Sequence, residues 1–144
     1  MITDAQLTFS DAQAVTVTAP SANQIDLTVA RNLARSGARG MRLVVLATTA
    51  FAAGTSVQVT VRQSAAANMS SPDIIATGPV VITANLTRGS KLLDIPFPDA
   101  DPVAAKQFLD LNYTVAGVYT AGAVSAFIVL DDEGGELRLG NIGR

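Results

Sequence analysis

Residues 55–64 read TSVQVTVRQS. Val57, Val59 and Val61 share one parity, and Gln58, Thr60 and Arg62 share the other. An extended chain points successive side chains to opposite faces, so this decapeptide reads as a strand with one apolar and one polar face. Upstream, MRLVVLATT (41–49) reads as a long, mostly buried strand that FAAG (51–54) turns. Downstream, AAANMSSPD (65–73) is a loop, and IIATG (74–78) and VVITA (80–84) read as two short strands. Pro79 lies between them and lacks an N–H, which bars a continuous central strand.

The same grammar runs to both ends. NLTRGS (85–90) turns the chain, and KLLDIPFP (91–98) is extended, with Pro96 and Pro98 placing it at an edge or bend. DADPVAAKQ (99–107) reads as a loop with at most one helical turn. In FLDLNYTVAG (108–117), Leu109, Leu111, Tyr113 and Val115 are expected to face the core, and Asp110, Asn112 and Thr114 to face out. AVSAFIVLDD (123–132) closes the sheet. Near the start, DAQAVTVTAPSANQIDL (11–27) reads as a strand through Val15, Val17 and Ala19, a turn at 20–23, and a second strand at Ile25 and Leu27. ARNLARSGARG (30–40) is a loop, and the tail from 131 to 144 is Gly-rich, either mobile or in contact with a partner. The sum is roughly eight to ten short strands with turn signals about every ten residues, and no amphipathic helix of useful length. That predicts a single all-β domain over 1–144, a sandwich or barrel.

The composition narrows the function. The chain is 49% hydrophobic and 15% charged, against about 25% charged in an ordinary soluble domain, and its mean hydropathy is +0.35. A membrane helix needs about 20 apolar residues in a row, and the best run, from Leu43, is interrupted by Thr48 and Thr49. MITDAQLTFS has no basic residue followed by an apolar stretch, so a secretory signal is not expected. Few charges and much apolar surface are better explained by partners that cover the surface, because interface cores are depleted in charge. Cysteine and histidine are absent, which removes disulfides, thiol chemistry and the usual general base, and leaves zinc only carboxylates. An enzyme is therefore not expected, and neither catalytic, cofactor nor metal residues are assigned. With net charge −2, two Tyr, five Phe and no Trp, there is no basic stripe with stacking aromatics for nucleic acid.

Three clusters remain. Asp131, Asp132, Glu133 and Glu136 surround Gly134-Gly135; they offer oxygen ligands for calcium, but not at EF-hand spacing, and a solvated turn explains them. Asp99 and Asp101 lie between Pro98 and Pro102; a glycosidase pair needs more than this, and turn-forming Asp explains them. Arg31, Arg35, Arg39 and Arg42 hold four of the ten basic residues. They either keep a loop soluble or dock a carboxylate-rich partner, since Arg makes bidentate contacts. They are the candidate partner-contact residues, and the acidic run at 131–136 is a candidate to pair with them between subunits.

FSDAQAVTVTAPSANQIDL (9–27), the apolar strand with FAAGTSVQVTV (51–61), SSP (70–72), PFP (96–98) and LNYTVAG (111–117) together resemble the cement, or head-decoration, proteins of tailed bacteriophages. Among these the likeness is to the jelly-roll type of a short-tailed Bordetella phage, and it spans residues 1 to about 130 in the same order. The resemblance implies a jelly-roll β-sandwich that binds the outer face of the head as an oligomer, a dimer favoured and a trimer as the alternative. It implies the major capsid protein as partner, a place on the virion surface after assembly in the bacterial cytoplasm, and no catalytic residues. The Arg-rich stretch and the tail beyond Asp131 depart from the family pattern. A jelly-roll receptor- or carbohydrate-binding module, a low-copy head–tail protein and a β-sandwich hydrolase are the rival readings; the first would want exposed Trp or Tyr as a sugar platform.

Overall fold

The computed structural model describes residues 5–27, 41–97 and 106–130. After a 3-10 turn at Ala5–Leu7 come β1 (Thr8–Ala14), β2 (Ala19–Pro20), β3 (Ile25–Asp26), β4 (Met41–Ala52), β5 (Ser56–Ser64), β6 (Asp73–Ile82), a 3-10 turn at Thr83–Asn85, β7 (Lys91–Pro96), β8 (Phe108–Ala116) and β9 (Ala121–Leu130). The strands pair in nested fashion: β5 with β6, β4 with β7, β2 and β3 with β8, and β1 with β9, all antiparallel. A chain that pairs first with last and works inward is one long hairpin. Rolled up, it gains two further ladders, β4 with β9 and β5 with β8. The result is two sheets, ordered β1-β9-β4-β7 and β2-β8-β5-β6, which is the jelly-roll β-sandwich expected.

The core lies between the sheets and is built by parity. Leu43, Val45 and Ala47 of β4, Val57, Val59 and Val61 of β5, Leu109, Leu111 and Tyr113 of β8, and Val124, Ala126 and Ile128 of β9 are all buried. Each fully buried aliphatic side chain of this kind contributes roughly 1.5–3 kcal/mol. One polar strand crosses this layer. Ser10 of β1 donates its hydroxyl hydrogen to Gln13 Oε1 at 2.7 Å, so the Tyr113 phenol donates to Ser10 Oγ, also at 2.7 Å. The bond ties the edge of the first sheet to the centre of the second. Burial holds the Tyr113 phenol neutral, well above its ordinary pKa, against the smaller pull of its bond to Ser10.

Three expectations need correction. The alternation at 15–19 is not a strand. The first strand ends at Ala14, and residues 16–18 bend across one end of the sandwich to carry the chain between sheets. The Val15 N–H donates to Gly122 O and the Tyr119 N–H to Thr16 O, so Val15 plugs the core while Val17 stands exposed. Second, β4 runs on through Phe51 and Ala52, and the turn is made by Ala53, at φ 83°, and Gly54. Third, residues 73–82 form one strand rather than two. The pairing steps from Gln58↔Val80 to Thr60↔Thr77, so Gly78-Pro79 falls in a bulge. β6 is the edge of its sheet, where a missing N–H costs no ladder bond.

The two ends of the sandwich differ. At one end, Leu27, Met41, Phe97, Lys106 and Leu130 come together: Met41 sits opposite Leu130, the Phe97 N–H donates to Met41 O, and the Leu27 N–H donates to Gln107 O. The segments 28–40, 98–105 and 131–144 all depart from this end, and half of the chain's charged residues fall within them. The opposite end is closed by the turns at 15–18, 53–55, 83–90 and 117–120, where Arg88 is the one charge.

Candidate interaction surfaces

The outward parity of the second sheet is nearly free of net charge. Its rows run Ile82–Ser56–Ala116, Val80–Gln58–Thr114, Thr77–Thr60–Asn112–Pro20 and Ile74–Arg62–Asp110. Ile74, Val80 and Ile82 of the edge strand β6 are more than half exposed, and Val118 stands 73% exposed at the end that carries only Arg88. Large aliphatic side chains on an unpaired sheet edge are an association hazard unless a partner covers them.

Three charged residues lie on this face; Asp26 stands opposite Phe108, and the other two, Arg62 and Asp110, cancel. Arg62 Nε donates to Asp110 Oδ1 at 2.8 Å, and Nη2 donates to Oδ2. Asp110 was expected to face solvent. It does take the outward parity, but it is only 3% exposed. The reason is a pair of walls raised over this end of the sheet: the Pro20–Gln24 stretch on one side and the β5–β6 loop on the other. They flank a half-open cavity of about 390 Å³ lined by Arg62, Asp110, Asn112, Pro20, Ser21, Ala22, Gln24, Ala67, Asn68 and Met69. Gln24 Nε2 donates to Ala67 O at 2.7 Å and bridges the walls. The loop is fixed by its own bonds, with Ser64 Oγ donating to Ser70 O and accepting from the Ala66 N–H, and Asn68 Oδ1 accepting from the Ser70 N–H. Met69 and Ser71 hold left-handed backbone, at φ 53° and 49°, a strain that persists only where the surroundings over-determine it. Lys106 pairs with Asp73 close by, at 2.6 Å.

The first sheet carries the other charge group on its outer face. Arg42, at the start of β4, donates to Asp94 Oδ1 at 2.8 Å, and Lys91 joins the same carboxylate. Of the four Arg singled out from the sequence, Arg42 alone is among the described residues, and it is held in this cluster. Arg31, Arg35 and Arg39 lie outside them, as do Asp99, Asp101, Asp131, Asp132, Glu133 and Glu136. For Asp94, burial alone would raise the pKa, but the hydrogen bonds from Lys91 and Arg42 and their charges outweigh it and hold the carboxyl below 3.8. A depressed folded pKa stabilises above the unfolded value and loses that contribution as pH falls through the folded one. Asp94→Asn is therefore expected to cost under about 1 kcal/mol at pH 7, as a partly exposed pair does, and to lose less stability than the native chain between pH 5 and about pH 2. Urea midpoints at both pH values check this; equal acid losses in the two proteins would refute it.

Among the described residues, no helix is long and apolar enough to cross a membrane, and no three acidic, His or Cys side chains group as metal ligands. The sequence reading missed the cavity and the Arg62–Asp110 pair. Parity placed both side chains on the right face, but only the register Arg62↔Asp110 brings them together. With this geometry in place, the chain matches the family model of Bbp16, a Bordetella phage protein family, over residues 9–128, from Phe9 in β1 to Ile128 in β9. No curated protein matches the chain.

Proposed function

The chain belongs to the Bbp16 family of phage proteins, and from that membership we propose that it is a structural virion protein that binds the outer surface of the head as a homo-oligomer and reinforces the capsid by bridging major capsid subunits. The observation that carries the reading is the outward face of the second sheet. Among the described residues its charges are the mutually compensated Arg62–Asp110 pair and Asp26 at its β3 corner, and its edge presents Ile74, Val80 and Ile82 to solvent. A surface of this kind is matched by another neutral, apolar surface. If two copies meet through this edge, the contact is isologous, which gives a two-fold dimer rather than a trimer. The charged end, from which the Arg31, Arg35 and Arg39 segment departs, is the natural place for polar docking on the shell, with Arg42 at its root.

Reinforcement follows from mass action. A protein that binds the assembled shell and not its free subunits stabilises the shell by about 2.7 kcal/mol per site at a concentration of 100 Kd. An oligomer touching two subunits gains further from effective concentration. The reading asks nothing of catalytic groups and needs only a stiff scaffold, which the nested sheets supply.

Copy number tests it. Quantitative mass spectrometry of purified particles is expected to give a simple ratio to the major capsid protein, with copies in the hundreds. A few dozen or fewer would assign the protein to the tail, the portal or a receptor-binding fibre, and absence from particles would end the structural reading.

A further inference from the structure

We infer that β6 is a seam at which two copies of this chain join edge to edge, so that their second sheets run on as one. The inference deepens the homo-oligomer of the proposed function and rests on that reading only for its place on the head. Among the described residues the two sheets have four edges, and three of them are blunted. β1 breaks register twice and carries Asp11. β7 is six residues long and carries Lys91, Asp94 and Pro96. β2 and β3 are two residues each, and β2 ends in Pro20. Charge, proline, bulges and shortness are the devices that keep a sheet edge from pairing. β6 is ten residues long, and from Ile74 to Thr87 the chain has no charge. It breaks register too, between Ile74 and Ala76 and between Thr77 and Val80, yet Ile74, Val80 and Ile82 stand exposed along it.

The placing of these breaks selects a second copy as the occupant. On the β5 ladder, Ile74 stands at the level of Arg62, Ala76 at Val61, Thr77 at Thr60, Val80 at Gln58, Val81 at Val57 and Ile82 at Ser56. These levels are symmetric about Val59, whose own level on β6 falls in the Gly78-Pro79 bulge. A two-fold axis normal to the sheet at that point runs two β6 strands antiparallel and keeps their faces. It sets Ile74 opposite the second copy's Ile82, and Thr77 opposite its Val80, all on the outward face. It sets Ala76 opposite Val81 on the face that packs against the core. Each pair joins side chains of like exposure, aliphatic or β-branched, as favourable cross-strand pairs do. Each pair also occurs twice, as an isologous contact requires. Pro79, with no N–H to give, lies near the axis, where the bulge already interrupts the ladder. The charges agree. Asp73 is the one charged residue of β6 and is paired with Lys106 at 2.6 Å. The axis carries the two Asp73 to opposite ends of the seam, about 26 Å apart at about 3.3 Å per ladder step. That is well beyond a Debye length of about 8 Å, so no like charges meet.

The chain has no cysteine, so introduced thiols read the register. Ile74→Cys and Ile82→Cys are made in separate chains and treated with oxidised glutathione. Their mixture is expected to give a covalent dimer, because opposite residues hold their Cβ atoms about 5 Å apart. Each variant alone is expected to stay uncross-linked, because the same position in the two copies lies about 20 Å apart. Sedimentation of the native chain at about 100 µM is expected to show a dimer, and Val80→Lys to weaken it at least about tenfold. Val17→Lys, at a residue equally exposed but beside β8 rather than β6, is expected to leave the dimer unchanged. Thermal melts verify the fold of every variant. A monomeric native chain, a Val80→Lys dimer as tight as the native one, or cross-linking no stronger in the mixture than in the single variants would overturn the seam and leave the copy-number test of the proposed function untouched. A monomeric native chain whose binding to purified heads is lost in Val80→Lys would assign the edge to a strand of the shell subunit, which also overturns the seam. A dimer of the expected register, formed by a protein absent from particles, would overturn the proposed function and leave the seam standing.

Discussion

Arg62→Met is expected to lower the free energy of unfolding by about 3–5 kcal/mol, the usual cost of removing one partner from a buried ion pair. Asp110 is 3% exposed and accepts two hydrogen bonds from the guanidinium. Met keeps the aliphatic stem, so what disappears is the charge and the two donors. The carboxylate, 4% exposed as a side chain, stays behind with no cation beside it. The converse change is milder. With Asp110→Asn, the guanidinium, whose side chain is 19% exposed, hydrates through the cavity mouth, and the loss is expected near 1–2 kcal/mol. Replacing both, as Arg62→Met with Asp110→Leu, is expected to recover most of the deficit, because an apolar pair of similar volume carries no desolvation penalty. Urea denaturation with unchanged m-values measures all three. A loss of less than about 1 kcal/mol in Arg62→Met would class the pair with ordinary surface ion pairs.

The order of these losses bears on how much the sequence reveals. Period-2 alternation located β5 and β8, because each has one face in the core and parity is all that such a strand needs to declare itself, while β4 and β9 were legible as strand-length apolar runs. It placed Arg62 and Asp110 on the outward face for the same reason. It said nothing of their pairing, which depends on register between strands some fifty residues apart in sequence, nor of their burial, which depends on two loops folding over the sheet. Alternation misled at 15–19, where Val15 is buried and Val17 exposed by a bend that crosses between sheets. There the partner of the backbone is a turn, Tyr119 N–H on Thr16 O, and not a strand. Pro79 misled in the other direction. Proline excludes a central strand, yet β6 is an edge and Pro79 falls in its bulge, whereas Pro96 correctly marked β7 as an edge. Of the candidate site, the sequence showed the charge clusters but not the cavity, since a cavity belongs to the spacing of elements and not to any one of them.

Gly122→Ala is expected to be among the most damaging single-carbon additions to this chain, at about 3 kcal/mol or more. Two costs combine there. Gly122 holds φ +147°, where an L side chain is strained by roughly 1–3 kcal/mol. A Cβ would also lie 2.4 Å from the Phe51 ring, and overpacking a tight core costs about 1–3 kcal/mol more. The ring has little freedom to withdraw. It stacks edge to face on Tyr119 at 5.1 Å and 84°. Tyr119 is itself pinned: Thr83 Oγ1 donates to Gly54 O at 2.7 Å, so the phenol donates to Thr83 at 2.8 Å. Gly89→Ala separates the two costs. Gly89 holds φ +87° with nothing within 4 Å of an added Cβ, so it carries the backbone strain alone and is expected to lose only about 1–2 kcal/mol. If the two variants unfold at the same urea concentration, steric clash at the closed end contributes nothing, and the Phe51–Tyr119 pair is free to move. If Gly122→Ala falls well below Gly89→Ala, the aromatic pair is a rigid plug. The end that carries only Arg88 is then the fixed base of the sandwich.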